Sequence, residues 1–290
     1  MLKAISLHSI IPVRTEPREG SEQSTQILFG ETCDILEQVP RWNRIRLHSD
    51  GQEGWVDAKM ISPIGGKDYT AYRKALKSAT AMVAMPMAYA VSENNGQTIP
   101  LTAGTRLTNY QTLKPQNPQT APVGRFEVLG VGFRIDPGMV IAQPLALNEQ
   151  NLMQAVRFFL NVPYLWGGKN AMGMDCSGFT QTILSLFGKR LLRNASQQAT
   201  QGSPVSLLKH AHAGDLVFFD HNDGRISHVG IILSPPFREG AGVGSCTLVH
   251  CSGRVKVEKI DETGIFSVEQ ADKDHPDGRY THHLAAIRRV

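Results

Sequence analysis

Three side chains in the C-terminal half have the types that nucleophilic acyl chemistry needs: Cys176, His228 and His250. A thiol attacks a carbonyl carbon with the help of a base in hydrogen-bond reach, and that base needs a partner that holds its ring. Cys176 stands in GGKNAMGMDCSGFTQTILSLF, residues 167–187. Asp175 is a candidate N-cap, and Phe179, Ile183, Leu186 and Phe187 recur at spacings of three and four. The pattern predicts a helix with Cys176 in its first turn, where unpaired N–H groups and the positive helix end favour a thiolate and can face an oxyanion. The glycines ahead of the cysteine, and Gly178 beside it, suit a place where a substrate backbone must approach closely. Taken alone, Cys176 also reads as a buried core residue. A base elsewhere in the chain decides for chemistry.

His228 opens the apolar run HVGIIL directly after Gly-Arg-Ile-Ser, and a polar residue at the start of such a strand can face a cleft. His250 follows one strand and loop later, in LVHCSG. We expect His228 to be the base and His250 the neutral polar group that holds its ring in the useful tautomer. His210, His212, His221, His275, His282 and His283 read as incidental. His282 and His283 on the last strand are a weaker candidate for metal binding, and we expect neither a metal nor any other cofactor.

The elements that must position these residues lie in 147–290. Asn148 predicts the cap of a helix carrying Leu152, Val156, Phe159 and Leu160 on one face. VPYLWGG breaks it, the cysteine helix follows, and RNASQQATQG reads as a polar connector. Strand-like runs come next: GDLVFFD, SHVGIIL, TLVHCSG, VKVEKI and HHLAAIRRV. A helical half followed by strands is an α+β pattern. Residues 1–64 look all-β, with runs at Ala4–Ile11, Gln26–Phe29, Cys33–Leu36, Arg44–Leu47 and Gly54–Val56 between turn signals. Residues 65–146 predict a short helix at Tyr69–Lys77 and further strands, with TLKPQNPQTAPVG as a loop.

Composition narrows the classes. The 290 residues carry a net charge of +4 with no long basic run, which is poor support for nucleic-acid binding and compatible with small anionic ligands. The four cysteines, Cys33, Cys176, Cys246 and Cys251, show no CxxC spacing, so neither a zinc site nor a disulfide scaffold is expected. Cys246 and Cys251 read as core residues or bystanders. The N-terminus MLKAISLHSIIPVRTEP has no signal-peptide pattern, and Pro86 breaks the longest apolar stretch, Met82–Tyr89, well short of a membrane span. We expect a cytoplasmic monomer.

The ordered motifs PYLWGG, MDCSGF, RNASQQ, GDLVFF, SHVGIIL and LVHCSG resemble the NlpC family of papain-like cell-wall cysteine peptidases. PVRTEP, TQILFGE, RWNRIRL and DGQEGWVDAKMI resemble a bacterial SH3 domain, with Trp42 and Trp55 at its barrel aromatics. The resemblance is greatest to YkfC-type γ-D-glutamyl-L-diamino acid endopeptidases. It implies a papain-like domain at 147–290 behind two SH3-like barrels, at 1–64 and, more divergent, at 65–146. It implies Cys176 as nucleophile, His228 as base and His250 as the third polar residue. Tyr164 would line the site, while Asp175, Ser177 and Ser196 would contact a murein-derived peptide. In such relatives an acidic residue and a tyrosine of the first barrel engage the free amine of L-Ala; the matching positions here are Ser24 and Gln52. An amidase or acyltransferase on the same core, and a non-catalytic wall-binding protein, are the competing readings.

Overall fold

Short alternating runs separated by turn residues pair as antiparallel strands in the first part of the chain. They are β1 (Leu2–Ile5), β2 (Ile10–Arg14), β3 (Gln23–Leu28), β4 (Thr32–Val39), β5 (Trp42–Leu47), β6 (Glu53–Asp57) and β7 (Ser62–Ile64). The sheet order is β3-β2-β6-β5-β4-β1-β7. Along β5, Ile45 and Leu47 turn inward while Arg44 and Arg46 face solvent. Ala4, Ile11, Val13, Ile27, Ile45 and Val56 form the core. Trp42 is buried, but Trp55 is only half-buried, because the alternation of β6 sends Val56 inward instead. Ser24 Oγ donates to the Val13 carbonyl at 3.3 Å, and Gln52 lies in the turn before β6. The computed structural model describes all residues but 1, 116, 118, 120, 221–223, 235–236, 239–241 and 244–245.

Helix α1 (Gly66–Ser78) is followed by β8 (Met82–Val83), β9 (Met87–Ser92), β10 (Thr98–Thr102), β11 (Gln111–Leu113), β12 (Val123–Val128), β13 (Val131–Ile135) and β14 (Val140–Ile141). Five of these form a sheet in the order β10-β9-β13-β12-β11, and β14 pairs with β8. Phe126 stacks on Phe133 with ring centroids 5.2 Å apart, and Phe133 meets Phe29 edge-on at 5.5 Å. Ile5 and Phe29 thus share a core with Leu101 and Phe126. Met1–Leu145 and Trp166–Ala171 form one unit of the chain.

The Trp166–Ala171 stretch, which carries β15 (Lys169–Asn170), is held within that unit by side chains from and near β3. Trp166 Nε1 donates to Glu22 at 2.6 Å, and Gln26 Oε1 accepts from Lys169 N–H at 2.9 Å and from Asn170 Nδ2 at 2.8 Å. Gly167 has φ +72°, and a Cβ there would sit 2.3 Å from the Gln23 carbonyl oxygen. The close backbone approach that this glycine permits is therefore to Gln23.

Ala146–Leu165 and Met172–Val290 form the second unit. Asn148 caps α2 (Glu149–Val156) by accepting Asn151 N–H at 2.9 Å. Leu152, Val156 and Phe159 are buried, but the helix stops at Val156 and the turn after it leaves Leu160 40% exposed, against the expected continuous face. After β16 (Gly173–Met174), Asp175 accepts Gly178 N–H at 2.6 Å and opens α3 (Cys176–Ser185), with Phe179, Ile183, Leu186 and Phe187 buried. RNASQQATQG is more than a connector. It contains α4 (Ala195–Gln198), started by a capping box in which Asn194 N–H donates to Gln197 Oε1 at 3.0 Å. Gln198 is fully buried, taking a bond from Thr180 Oγ1 at 2.8 Å and giving one to the Ser177 carbonyl at 3.1 Å.

The remaining strands are β17 (Ser203–Pro204), β18 (Leu216–Asp220), β19 (His228–Ser234), β20 (Phe237–Arg238), β21 (Gly242–Val243), β22 (Thr247–Ser252), β23 (Arg254–Ile260), β24 (Gly264–Ser267) and β25 (Arg279–Arg289). Their main sheet runs β17-β25-β18-β19-β22-β23-β24, and β24 also pairs with β25, so the sheet closes into a barrel. Helix α3 packs on β19 and β22. Among the described residues, no helix is long and apolar enough to cross a membrane. Phe179 is fully buried on α3. Phe179→Ala is expected to lower unfolding free energy by about 3–5 kcal/mol, measured by urea denaturation.

Candidate active site

The antiparallel register of β19 and β22 sets Gly230 opposite His250. Side chains alternate along a strand, so His228, two residues before Gly230, shares a face with His250. His228 Nε2 lies 2.8 Å from His250 Nδ1, with the rings nearly perpendicular at 82°. Gly230 leaves room for this pair: a Cβ there would lie 2.7 Å from Leu248 Cδ1 and 3.1 Å from His250 Cβ. Cys176, at the head of α3, has its sulfur within reach of the backbone N–H groups of Val229 and Ser177. Val229 directly follows His228, so the sulfur lies against the backbone of the strand that carries the first histidine of the pair.

Burial pushes the Cys176 thiol up to about 11, with the Asp175 carboxylate adding to it; the N–H groups of Val229 and Ser177 and the Arg193 guanidinium pull the other way. Desolvation thus works against the thiolate that the N–H groups at the helix start favour.

Beyond the pair, His250 Nε2 lies 2.7 Å from Glu258 Oε2 on β23. Lys256 Nζ sits 3.2 Å from the same carboxylate and 3.3 Å from Glu269, which also pairs with Arg254. Burial works against ionising Glu258, but His250, Ser267 and Lys256 outweigh it and hold the carboxyl down at about 2. His250 shifts down, because its burial outweighs the pull of Glu258. At neutral pH the pair is therefore a neutral imidazole beside a carboxylate.

Two side chains near the pair escaped the sequence reading. Glu258 sits in VKVEKI, where a strand rule would turn valines inward and charges outward, yet Lys256 is buried and Val257 is 42% exposed. His282, read as incidental, lies against His228 with ring centroids 4.4 Å apart and planes tilted by 33°, and its ring is 6.1 Å from that of His250. Its position on β25 becomes adjacent only through barrel closure. His221 lies outside the described residues.

Asp175 and Ser177 turn onto Arg193, which is fully buried: its Nη2 lies 2.6 Å from Asp175 Oδ2, and its Nη1 lies 3.0 Å from Asp175 Oδ1 and 2.9 Å from Ser177 Oγ. These bonds anchor the first turn of α3. Tyr164 is half-buried, and its phenol is raised by burial and by Cys176 and Asp175 nearby. Ser196 is exposed on α4. Cys251 is buried, with its sulfur 3.2 Å from the Met174 carbonyl, and Cys246 belongs to the barrel core.

Residues 161–270 match the NlpC/P60 family, and residues 13–61 match the bacterial dipeptidyl-peptidase SH3 domain. The chain carries an NlpC/P60 cysteine-peptidase domain. It is similar to the gamma-D-glutamyl-L-lysine dipeptidyl-peptidase of Bacillus subtilis (strain 168), at 28% identity over 72% of this chain and 69% of that protein. The protein of the same name from Bacillus cereus (strain ATCC 10987 / NRS 248) is 26% identical over 74% of this chain and 66% of its own length. The match thus spans about two thirds of each relative. Among solved structures, an NlpC/P60 family protein from Bacillus cereus ATCC 10987 shares the fold with a TM-score of 0.73 at 18% identity, covering 99% of both chains. An NlpC/P60 endopeptidase from Photobacterium damselae subsp. piscicida does so with a TM-score of 0.69 at 14% identity, over 98% of this chain and 72% of that one.

Two outcomes follow for the NlpC/P60 domain. Arg193→Leu leaves Asp175 buried without its cation and is expected to cost about 3–5 kcal/mol in urea denaturation. The folded Glu258 value lies below its ordinary 4.5, so its contribution to stability is full above that pH and is lost as pH falls toward about 2. His250, also depressed, acts in the same direction. Between about pH 5 and pH 3 the urea midpoint of the wild type should fall more steeply than that of Glu258→Gln.

Proposed function

We propose that the chain is a cysteine endopeptidase that hydrolyses the γ-D-glutamyl-L-diamino acid bond of murein-derived peptides, with L-lysine or meso-diaminopimelate on the departing side. One observation carries the reading: the imidazole pair at 2.8 Å on β19 and β22, set against the helix end that presents Cys176. The names of the two Bacillus relatives, gamma-D-glutamyl-L-lysine dipeptidyl-peptidases, support this choice of bond. We also read the chain as three modules, at 1–64, 65–146 and 147–290. In this reading the sheet at 87–135 is a second, divergent SH3-like barrel, and the last module is α+β and papain-like.

His228 takes the proton of the Cys176 thiol as the sulfur attacks the γ-carbonyl carbon of D-glutamate. The N–H of Cys176, at the open end of α3, faces the oxygen as it becomes an oxyanion. The tetrahedral centre collapses, the C–N bond breaks, and the proton on His228 passes to the departing amine. Water then gives a proton to His228 and attacks the thioester, releasing the D-glutamyl carboxylate and restoring the thiol. His250 keeps the His228 ring oriented through both steps. Tyr164 and Ser196 are the side chains we assign to peptide contact. Asp175 and Ser177, held by Arg193, serve the same site by fixing the turn from which Cys176 projects.

The test is incubation with L-Ala-γ-D-Glu-L-Lys, with products read by mass spectrometry. Wild type should yield L-Ala-D-Glu and L-Lys, and Cys176→Ala should give none while keeping its urea midpoint. Turnover by that variant at the wild-type rate, or wild-type cleavage at the L-Ala bond only, would contradict the reading.

A further inference from the structure

The hydrogen-bond chain does not end at His250. Glu258 lies diagonally across β22 and β23 from it: His250 stands opposite Lys256 and Leu248 opposite Glu258, so the three polar side chains share one face. The carboxylate is 2.7 Å from His250 Nε2, and the other His250 nitrogen is 2.8 Å from His228 Nε2. An ionised carboxylate can only accept, so His250 Nε2 must carry the hydrogen. A neutral imidazole carries one ring hydrogen, which leaves His250 Nδ1 as an acceptor. His228 Nε2 must then be the donor between the rings, and a neutral His228 is left with its lone pair on Nδ1.

We propose that Glu258 is a positioning residue that fixes the tautomer of His250 and, through it, that of His228, so that His228 Nδ1 is the atom that takes the Cys176 proton. The proposal rests on Cys176 and His228 acting as nucleophile and base. Lys256, bridged to Glu269, lies 3.2 Å from the Glu258 carboxylate and helps to keep it ionised. With an apolar residue at 258, His250 loses the acceptor for its Nε2 hydrogen. Its other tautomer would then point an N–H at the N–H of His228, and the base would have to turn or switch its own hydrogen. The same carboxylate also favours the imidazolium that forms on His228 during attack, relayed through His250.

The charged and titratable groups facing this system come from every element around it. His228 faces His250 on β22 and His282 on β25, and the Cys176 sulfur on α3 lies against the N–H of the next residue, Val229. Glu258 faces His250 on β22 and Lys256 on its own strand, with Glu269 beyond the lysine. Loss of the Glu258 charge removes one anion from this set and should make His228 easier to deprotonate.

The experiment uses the full chain labelled with ¹⁵N-histidine, in wild type, Glu258→Leu and Glu258→Gln. Ring nitrogen shifts give the tautomers without substrate. The alkylation rate of Cys176 by iodoacetamide, read on its own peptide by mass spectrometry, gives the pH limb of the base. In wild type, Nε2 of both His228 and His250 should carry the hydrogen. In Glu258→Leu, His250 should move its hydrogen to Nδ1, and kcat/KM for the murein tripeptide should fall about 10²–10⁴-fold, mostly in kcat. Glu258→Gln still offers an amide oxygen; it should keep the wild-type tautomers while its alkylation limb moves to lower pH. Unchanged tautomers in Glu258→Leu would overturn the proposal. If that variant does not fold, an unshifted limb in Glu258→Gln would overturn it. Because the tautomer and alkylation readouts need no peptide substrate, they stand apart from the Cys176→Ala test of the peptidase reading.

Discussion

The hydrogen bond between His228 and His250 is the contact on which the site depends, and it is a product of strand register. Antiparallel pairing of β19 with β22 fixes Gly230 against His250, which makes His228 its diagonal neighbour. A slip of one residue would send one ring to the opposite face of the sheet. The barrel guards against that slip, since closure through β24 and β25 ties both ends of the sheet. The absence of a side chain at Gly230 completes the arrangement by leaving space between the rings and Leu248.

Burial gives this pair its chemical character. The same desolvation raises the Cys176 thiol to about 11 and shifts His250 down. Charge separation is therefore costly at rest. Arg193 plays a related part under α3. A fully buried guanidinium is tolerated there because it is bidentate to Asp175, and Asp175 in turn caps the helix that presents the sulfur.

Much of this was legible in the sequence because it follows local rules. Asp175 before a three-and-four apolar repeat marked α3 and its cap, and Asn148 marked α2. His228 stood out because it opens an apolar strand directly after a turn, and His250 because it follows one strand and loop later in LVHCSG. What escaped was set by long-range packing. Glu258 is half-buried in a strand whose valines and charges are arranged against the usual alternation, because β23 turns its polar face to the histidines. His282 joins the site only when the last strand closes the barrel. The α4 segment looked like a linker because its inward side chains, Arg193 and Gln198, are polar and find buried polar partners. The glycine ahead of the cysteine was legible as a close approach, but its partner, Gln23, lies far away in sequence.

The central claim is that the two imidazoles act as one device, and a double-mutant cycle tests it most directly. The quantity is kcat/KM for the murein tripeptide in wild type, His228→Ala, His250→Ala and the double variant. If His250 works only by orienting His228, the double variant should be no worse than His228→Ala within about threefold. Losses that multiply across the two positions would show that the rings act independently and would contradict the account.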